Sequence, residues 1–439
     1  MHTSITGQYL ARFRRIADAD NGAGLLPVTG AQRRFVLVRA MDPAGRPDTV
    51  PMFFAFPRGT VDPVRLRAAA NHLAARHPVL HARPEVIRGT PALRREAADV
   101  PLERVRPVPG ESSADALRRA VSAWSAQGSP MRLYLTDDER ADEEILGIVL
   151  DHIACDGQSL ARVVDELGDA YRDGLGPADL APADAEAELA AYREAVELQL
   201  AAEQRGGSPA ALEYWGDRLR AVHERAPLPR PRDPAPGVLP TGAAELRRSA
   251  PAGGVPFPAL LDACRATARV LYGPGHVPPI GYPWGGRPAA AAQVLGCFLN
   301  TVVFPARTHD APRLPENGGS EATATAWWDD LDRADTPFDE VVHAARSAGA
   351  RWTGRLDGLL TVDDARRRPP LTLGAVPGRE VHVDGRPVRA PFAVSLTQGP
   401  QLHIRMVWDR SVLDDAAAED GFSAFCRALP APASADPAH

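Results

Sequence analysis

The stretch LDHIACDGQSL, residues 150–160, joins an apolar segment to the polar start of a helical pattern. The preceding run EILGIVL (144–150) is apolar without alternation, which is typical of a strand covered on both faces. After Gly157 the apolar residues recur at helical spacing, and Ser159 is a suitable N-cap. The sequence therefore predicts that His152 lies between the end of a buried strand and the beginning of a helix.

The chemistry of His152 has three interpretations: a general base, a metal ligand or a structural histidine. A base next to a small residue and the positive end of a helix dipole suits acyl transfer. Cys155 and Asp156 could complete a ligand set, but no second cluster has zinc-like spacing, so no metal is predicted. Cys155 is expected to point into packing, because no base is placed beside its thiol as cysteine catalysis requires.

Composition excludes several classes of protein. The chain has 439 residues, and at roughly 100–200 residues per domain it should form two or three domains. A net charge of −6 argues against binding to nucleic acid or to anionic membranes. All 50 basic residues are arginines, so an enzyme that needs a Schiff-base or P-loop lysine is excluded. The four cysteines are scattered, and no signal peptide or membrane span is evident, so we expect a cytoplasmic protein with free thiols.

The pattern of elements indicates a mixed α/β fold. Strands are predicted at 33–41, 49–57, 131–135 and 144–150, the last two as a hairpin. Helices are predicted at 62–80, 114–127 and 182–204, and after Gly157. A boundary near 175–185 separates a first lobe, 1–180, from a second, 181–430. Residues 227–240 are expected to be an extended proline-rich crossing, and the tail 431–439 to be disordered.

Several motifs in order resemble one family. DHIACDG (151–157) resembles the HHxxxDG motif of condensation domains of nonribosomal peptide synthetases, in the chloramphenicol acetyltransferase-like superfamily. Further segments are similar to other motifs of that family: PVTGAQRR (27–34), RHPVLHAR (76–83), EYW (213–215), GCFLNTVVFPAR (296–307) and DTPFDEVV (335–342). The resemblance covers about residues 26–430, with no adenylation or carrier domain left over, so we expect a free-standing condensation enzyme.

The resemblance implies two chloramphenicol-acetyltransferase-like lobes in a V-shaped pseudo-dimer with a central tunnel. It implies that His152 is the catalytic histidine, and that Asp156 shapes the turn through a salt bridge. Arg287 is the first choice for the salt-bridge partner and Arg307 the second. Gly157 is expected to leave room beside the histidine and to offer a backbone N–H.

The same resemblance implies the substrates. No cofactor is expected to be bound; instead the phosphopantetheine arm of a carrier protein, acting in trans, brings the acyl group as a thioester. The acceptor is a small molecule or a carrier-bound group, and neither nucleic acid nor membrane is an expected partner. Four residues are expected along the substrate tunnel: Asp151, Ser159, Trp284 and Asn300.

Alternatives remain open at this stage. The segment DHIACDGQS also fits DxxxxDxxS, the signature of heterocyclization domains, although His152 is retained; Asp151 is expected to be a structural hydrogen-bonding residue rather than a catalytic one. A condensation-like domain without activity could serve as a recruitment platform. Transfer from an acyl-CoA is a further enzymatic alternative.

Overall fold

Helices and strands are interleaved along the chain, which confirms the predicted mixed α/β class. The computed structural model describes residues 4–20, 24–42, 48–124, 128–224, 238–251, 254–288, 291–307, 321–364, 370–399 and 401–430. Most of the predicted tract 227–240 and all of the predicted tail 431–439 lie outside these residues. In the described part of the chain, no helix combines the length and apolarity that crossing a bilayer requires.

The described helices are α1 Ile5–Ala19, α2 Gly30–Met41, α3 Pro63–Arg76, α4 Ser113–Ser122, α5 Gly157–Asp173, α6 Pro182–Gly206, α7 Pro209–Leu219, α8 Phe257–Tyr272, α9 Glu321–Leu331, α10 Phe338–Ser347 and α11 Asp415–Ala428. The described strands are β1 Leu25–Leu26, β2 Thr49–Pro57, β3 Ala82–Ile87, β4 Thr90–Arg95, β5 Leu102–Arg104, β6 Met131–Asp138, β7 Glu143–Asp151, β8 Thr241–Ser249, β9 Pro279–Trp284, β10 Asn300–Pro305, β11 Gly358–Asp364, β12 Thr372–Leu373, β13 Val376–Pro377, β14 Arg379–Glu380, β15 Phe392–Gln398 and β16 Gln401–Asp409.

The first sheet contains the strand that leads to His152. Its order is β14-β2-β7-β6-β5, with β2 and β6 antiparallel to β7, so that β6 and β7 form the predicted hairpin. Leu146, Ile148 and Leu150 pack in the core that includes α3 and α5, whereas Ile145 and Val149 pack in a cluster with α4. Because both faces of β7 are covered, its sequence is apolar without alternation.

The second sheet has the order β10-β9-β11-β15-β16-β8 and belongs to a separate core. Three buried tryptophans are its largest members: Trp215, Trp352 and Trp408. Burying one large apolar side chain stabilises a fold by about 1.5–3 kcal/mol, so aromatic packing dominates this half of the molecule.

The two cores do not divide the chain at a single point. Helix α6 packs with the first core through Tyr192, Val196 and Leu200, although it follows the predicted boundary at 180. Later segments return to the same core, with Leu295 and Leu371 among its members. In addition, β14 pairs antiparallel with β2 at the edge of the first sheet. The second half of the chain therefore completes the core and the sheet of the first.

The predicted strand at 33–41 is wrong: these residues belong to helix α2. A capping box starts the helix, because the Thr29 hydroxyl accepts a hydrogen bond from the Gln32 N–H and the Gln32 side chain accepts one from the Thr29 N–H. Such reciprocal caps satisfy two donors that the helix start leaves free. The Gln32 side chain also donates to the Ile153 carbonyl (2.9 Å) and so holds α2 against the turn that carries His152.

Candidate active site

His152 lies at the rim of the first sheet, immediately after β7. Asp151 pairs with Thr49 at the end of the β2–β7 ladder, and the His152 N–H donates to the Asp48 carbonyl at 2.8 Å. Helix α5 begins at Gly157, so residues 152–156 form the turn from strand to helix. The structure thus places His152 between a buried strand and a helix, as the sequence predicts.

The imidazole of His152 is held in one orientation. Its Nδ1 lies 3.0 Å from the Cys155 carbonyl oxygen, and since a carbonyl can only accept, Nδ1 carries the proton of the neutral ring. The Phe35 ring stacks on the imidazole at a centroid distance of 5.2 Å and an angle of 28°. No hydrogen-bond partner for Nε2 is found among the described residues. His152 lines a cavity of about 1770 Å³. Nε2 is therefore the nitrogen left to accept a proton from a substrate.

Asp151 is engaged in an ion pair. Arg39 donates to both of its carboxylate oxygens at 2.6 Å, and the Ile153 N–H donates to one of them at 2.9 Å. The Asp151 side chain is buried, with 3% exposure. The pair anchors β7 to α2, and it leaves the carboxylate occupied within the protein.

Asp156 is the centre of a buried network that joins two distant parts of the chain. Arg287 contacts both carboxylate oxygens, with a distance of 3.1 Å from Nε, and the Phe298 N–H donates to the same carboxylate at 3.1 Å. The guanidinium of Arg287 also donates to the carbonyls of Ala291 and Val294. The structure thus places the first-choice arginine on Asp156 and makes this pair the brace of the turn.

The helix cap differs from the prediction. Asp156, not Ser159, is the N-cap of α5, because its carboxylate accepts hydrogen bonds from the N–H groups of Gln158 and Ser159. The Ser159 hydroxyl completes the box by accepting a hydrogen bond from the Asp156 N–H at 3.5 Å, and it also donates to the Asp156 carboxylate at 3.1 Å. A side chain three residues into the helix looks like a cap in sequence, but the acidic residue at the turn outcompetes it. The two N–H groups bound by Asp156 are consequently not free to face a substrate.

Gly157 lies open on the cavity wall. A Cβ added to it would meet no atom within 4 Å. No acceptor for its N–H is found within the described residues. The glycine thus leaves space in the cavity and offers a backbone donor there.

A cavity of about 1770 Å³ separates the first helix turn of α5 from the second sheet. Its wall combines residues from both halves of the chain, among them Phe35, His152 and Gln158 on one side and Tyr282 and Thr301 on the other. The Gln158 side chain donates to the Gly285 carbonyl at 3.0 Å, which links the two halves directly. A cavity of this size holds a small substrate with room to spare.

The structure places none of the four predicted tunnel residues on the wall of this cavity. Asp151 is paired with Arg39, and Ser159 is buried against Asp156. The Asn300 amide donates to the Ala334 carbonyl at 2.8 Å. Neighbours of these residues line the cavity instead, among them Gln158, Leu160, Pro283, Leu299 and Thr301.

Arg307 lies away from the site. It is exposed after the end of β10 and borders a small separate pocket with Asp217, Arg220 and Ala221. Sequence spacing did not distinguish it from Arg287, because both arginines flank the motif that contains Asn300. The distinction is made by the fold, which brings Arg287 and Phe298 to Asp156 at the start of α5.

The two thiols near the site are not suited to nucleophilic attack. Cys155 and Cys297 are fully buried, and burial raises the pKa of each thiol well above its ordinary value. Both therefore remain protonated at neutral pH and pack as small apolar groups. Within the described residues, no group of three or more His, Cys, Asp or Glu side chains is arranged to hold a metal ion.

Sequence reasoning missed the contribution of α2 to the site. Phe35 stacks on His152 and Arg39 pairs with Asp151, four residues further along the same helix. Residues at i and i+4 share one helix face, so this pair is visible only when 30–41 is interpreted as a helix. The capping box at Thr29 and Gln32 was the available signal.

The chain is similar to known proteins in sequence and in fold. No family model matches the chain. It is 27% identical over 332 residues to CymA of Salinispora arenicola strain CNS-205, described as a non-canonical nonribosomal peptide synthetase; the match covers 66% of this chain and 4% of CymA. It is 26% identical over 419 residues to the isonitrile lipopeptide synthase of Mycobacterium tuberculosis strain H37Rv, covering 88% of this chain and 16% of that protein. The chain therefore spans a small part of each relative.

Solved structures agree in fold. The starter condensation domain of the rhizomide synthetase RzmA, a mutant in complex with C8-CoA, superposes with a TM-score of 0.66 at 15% identity, covering 93% of this chain and 95% of that one. The X-domain from teicoplanin biosynthesis, in its complex with OxyB, gives 0.63 at 19% identity and covers 92% of both chains. The chain thus has the condensation-type fold of nonribosomal peptide synthetases, and the resemblance expected from its motifs is confirmed at that level.

Proposed function

We propose that the protein is an acyltransferase that moves an acyl or aminoacyl group from a carrier-bound phosphopantetheine thioester to an amine or a hydroxyl. The observation that carries this proposal is the tautomer of His152. Its Nδ1–H is tied to the Cys155 carbonyl, and its Nε2 has no partner within the described protein and belongs to a residue of the cavity wall. This is the arrangement that a general base requires.

The reaction needs no covalent enzyme intermediate. The acceptor nitrogen or oxygen attacks the thioester carbonyl carbon, the new C–N or C–O bond forms, and the C–S bond breaks. Nε2 of His152 takes the proton of the acceptor and returns it to the departing thiolate, so that protons balance. A positioned base of this kind contributes about 10²–10⁴-fold in rate, and alignment of two substrates in one cavity adds a further advantage.

The oxyanion that develops at the carbonyl requires a donor. The N–H groups of Gln158 and Ser159 are bound by Asp156, whereas that of Gly157 is open on the cavity wall. We therefore assign the Gly157 N–H as the backbone donor at the reacting carbonyl. A preorganised donor of this kind stabilises developing charge more than the ground state.

A relative named as a probable nonribosomal peptide synthetase supports a carrier protein, acting in trans, as the source of the acyl group. The starter domain of RzmA was solved with C8-CoA, which supports an acyl thioester as the ligand of this fold. We place the reaction in the cytoplasm, in keeping with the free cysteines. The protein itself contributes binding, orientation and a base, and needs no bound cofactor for these steps.

A heterocyclization reaction is less well supported. Its signature would give Asp151 a direct role, but both oxygens of that carboxylate are bound by Arg39. A second candidate is a recruitment platform, because the teicoplanin X-domain, which has the same fold, was solved in complex with OxyB. The open Nε2 of His152 favours catalysis over this alternative.

The test is to replace His152 with alanine and follow unloading of an acyl-carrier protein by intact-protein mass spectrometry. We expect transfer to fall by about 10²–10⁴-fold, the range for a lost general base, with an unchanged unfolding temperature. His343→Ala is the matched control, because His343 is exposed on α10. Full activity in the His152 variant would contradict the assignment. A platform would instead bind a partner enzyme and show no turnover in the wild-type protein.

A further inference from the structure

Arg34 lies on the wall of the cavity that contains His152. It precedes Phe35 on α2, and the Phe35 ring is the one that stacks on the imidazole. Its guanidinium carbon lies 3.8 Å from the centroid of the Phe338 ring. An arginine that stacks on one aromatic face keeps the edge of its planar fork available for another ligand.

The neighbouring Arg33 and Arg39 are each hydrogen-bonded to a carboxylate, whereas Arg34 is not, within the described residues. Arg33 donates to both oxygens of Asp339, and Arg39 to both oxygens of Asp151. For Arg34 no acceptor is found among the described residues. Burial lowers its pKa to about 10, with the charge of Arg389 adding to the effect. The charges of Asp48 and Asp339 partly offset this lowering of the pKa, but neither carboxylate accepts a hydrogen bond from Arg34 within the described residues.

Two further arginines lie close to Asp48. Arg389, which also lines the cavity, approaches the Asp48 carboxylate at 2.5 Å, and Arg39 approaches it at 3.9 Å. The guanidinium groups of Arg34, Arg39 and Arg389 therefore all lie near Asp48. A carboxylate that joins Arg34 would supply the direct hydrogen-bond acceptor that Asp48 and Asp339 do not supply within the described residues, and such charge-assisted hydrogen bonds are among the strong ones.

We propose that Arg34, with Arg389 beside it, binds an anionic group, in the first place a carboxylate, on the small acceptor substrate. This inference rests on the acyl transfer proposed above and names the chemistry of its second substrate. The Arg34 fork matches a carboxylate in two-point geometry. Phe35, the next residue along α2, contacts His152. An anion bound at Arg34 and the atoms that react at His152 can therefore belong to the same small molecule.

A phosphate of the phosphopantetheine arm is the other source of negative charge. It sits at the far end of the arm from the thioester sulfur. When the thioester carbonyl lies at His152, that phosphate is directed away from the residues next to the imidazole. The position of Arg34 therefore favours an acceptor that carries both a nucleophile and a free carboxylate, such as an amino or hydroxy acid, over an acceptor whose carboxyl is esterified to a carrier.

The first experiment uses phenylglyoxal, which modifies unprotonated guanidino groups, on the wild-type protein. Modification of Arg34 is followed by peptide mass spectrometry in sodium chloride and in sodium acetate of equal ionic strength, with the exposed Arg14 as internal control. We expect acetate and glycine to slow modification of Arg34 several-fold, glycinamide not to, and Arg14 to be unaffected. Equal rates at Arg34 in all conditions would overturn the proposal.

A second arm separates the two anions. If 4′-phosphopantetheine protects Arg34 while acetate and glycine do not, the carboxylate assignment is wrong. The measurement involves no turnover, so it succeeds or fails independently of the His152 test. A wild-type footprint protected by acetate, in a protein that shows no transfer from any acyl-carrier protein, would retain the anion site and reject the proposed function.

The variant Arg34→Met distinguishes a binding role from a structural role, because the two roles predict different changes in the unfolding temperature. Removing a partly buried cation that has no hydrogen-bond acceptor among the described residues should leave the unfolding temperature of the free protein unchanged or higher, and should abolish its rise in acetate. Arg33→Met, which breaks a buried ion pair, is the control and should lower the unfolding temperature. A comparable loss of stability in Arg34→Met, with the acetate effect intact, would contradict the proposal.

Discussion

At the scale of single residues, the role of Asp151 distinguishes the proposed acyl transfer from heterocyclization. If it were catalytic, replacing it would leave the fold stable and remove activity. The structure instead pairs it with Arg39 through two hydrogen bonds in a nearly buried position.

We predict that Asp151→Asn lowers the free energy of unfolding by about 3–5 kcal/mol, the usual cost of removing one partner from a buried pair. Activity per folded molecule should remain measurable. Urea unfolding monitored by circular dichroism gives the first quantity, and carrier unloading the second. The double variant Asp151→Leu with Arg39→Met should recover part of the loss, because neither charge is then left alone. A stable but inactive Asp151→Asn protein would favour heterocyclization.

A large side chain at Gly157 should lower activity without lowering stability. A Cβ there meets nothing within 4 Å, so Gly157→Ala should be neutral or stabilising by about 0.5–1 kcal/mol through helix propensity. Gly157→Leu should be equally stable but should reduce transfer strongly, because its side chain enters the cavity. Thermal unfolding and the KM of the acceptor test this.

The control for Gly157 is Gly174 at the other end of α5. That residue has a positive φ of 69°, so an alanine there should destabilise the helix end without touching the cavity. A Gly157→Leu variant with normal KM and rate would show that this part of the wall is not used by substrate.

The sequence could predict the residues of the turn, because strand, turn and helix follow one another locally. His152, Asp156 and Gly157 were placed by the pattern around them, and Arg287 by the motif resemblance. Arg34, Arg39 and Asp48 could not be placed in the same way. Their partners lie far away in the sequence. In addition, the interpretation of 33–41 as a strand gave Phe35 and Arg39 the positions of strand residues, whereas both lie in helix α2.

At the scale of elements, three helices meet in a charged cluster. His77 at the end of α3 contacts Glu166 of α5 at 2.6 Å and Glu188 of α6 at 3.4 Å. Arg162 of α5 approaches Glu188 at 2.5 Å, and Arg76 approaches it at 3.5 Å. Burial by itself raises the pKa of Glu188, but hydrogen bonds from His77 and Arg162 lower it to about 2.

This cluster predicts a pH dependence of stability. In the unfolded chain Glu188 titrates near its ordinary pKa of about 4.3. Its folded pKa is depressed, so its contribution is fully present above about 4.3 and is lost as the pH falls toward 2. Glu188→Gln should therefore be less stable than wild type at pH 6, and the difference should narrow between pH 5 and pH 3.

Urea unfolding at each pH measures this difference. Glu194→Gln on the exposed side of the same helix is the control and should show no such trend. A gap between Glu188→Gln and wild type that stays constant across the acid range would contradict the assigned pairing.

Some elements were predictable because their pattern has one interpretation. The unbroken apolar run of β7 requires two covered faces, and the spacing of Val163, Val164 and Leu167 requires one buried helix face. In α2 the residues Phe35, Val36 and Val38 fit a short strand as well as a helix. The hydrogen bond from Gln32 to the Ile153 carbonyl stabilises the helix, but it exists only in the folded protein and cannot be predicted from the local sequence.

At the scale of the whole molecule, the halves of the chain are interdependent. The first core lacks several members without Leu295, Phe298 and Leu371, all of which come from the second half. Each such side chain stabilises by about 1.5–3 kcal/mol when buried. The first sheet likewise lacks its edge strand β14.

We predict that residues 1–207 expressed alone do not unfold cooperatively, whereas the full chain shows one or more sharp transitions by calorimetry. The fragment should also bind an apolar dye through its uncovered core. Coexpression of residues 208–439 should restore the transition if the halves associate. A fragment with a sharp transition at the temperature of the full chain would show that the first lobe is autonomous.

The pairing of Asp156 with Arg287 also constrains the order in which the protein becomes functional. The partners are 131 residues apart, and closing a loop of that length costs about 4 kcal/mol of chain entropy. The turn that orients His152 is braced only after this closure, so it belongs to the late, slow part of folding. During synthesis the strand and helix around the turn form first, and the proposed activity follows only when the second half has emerged and docked.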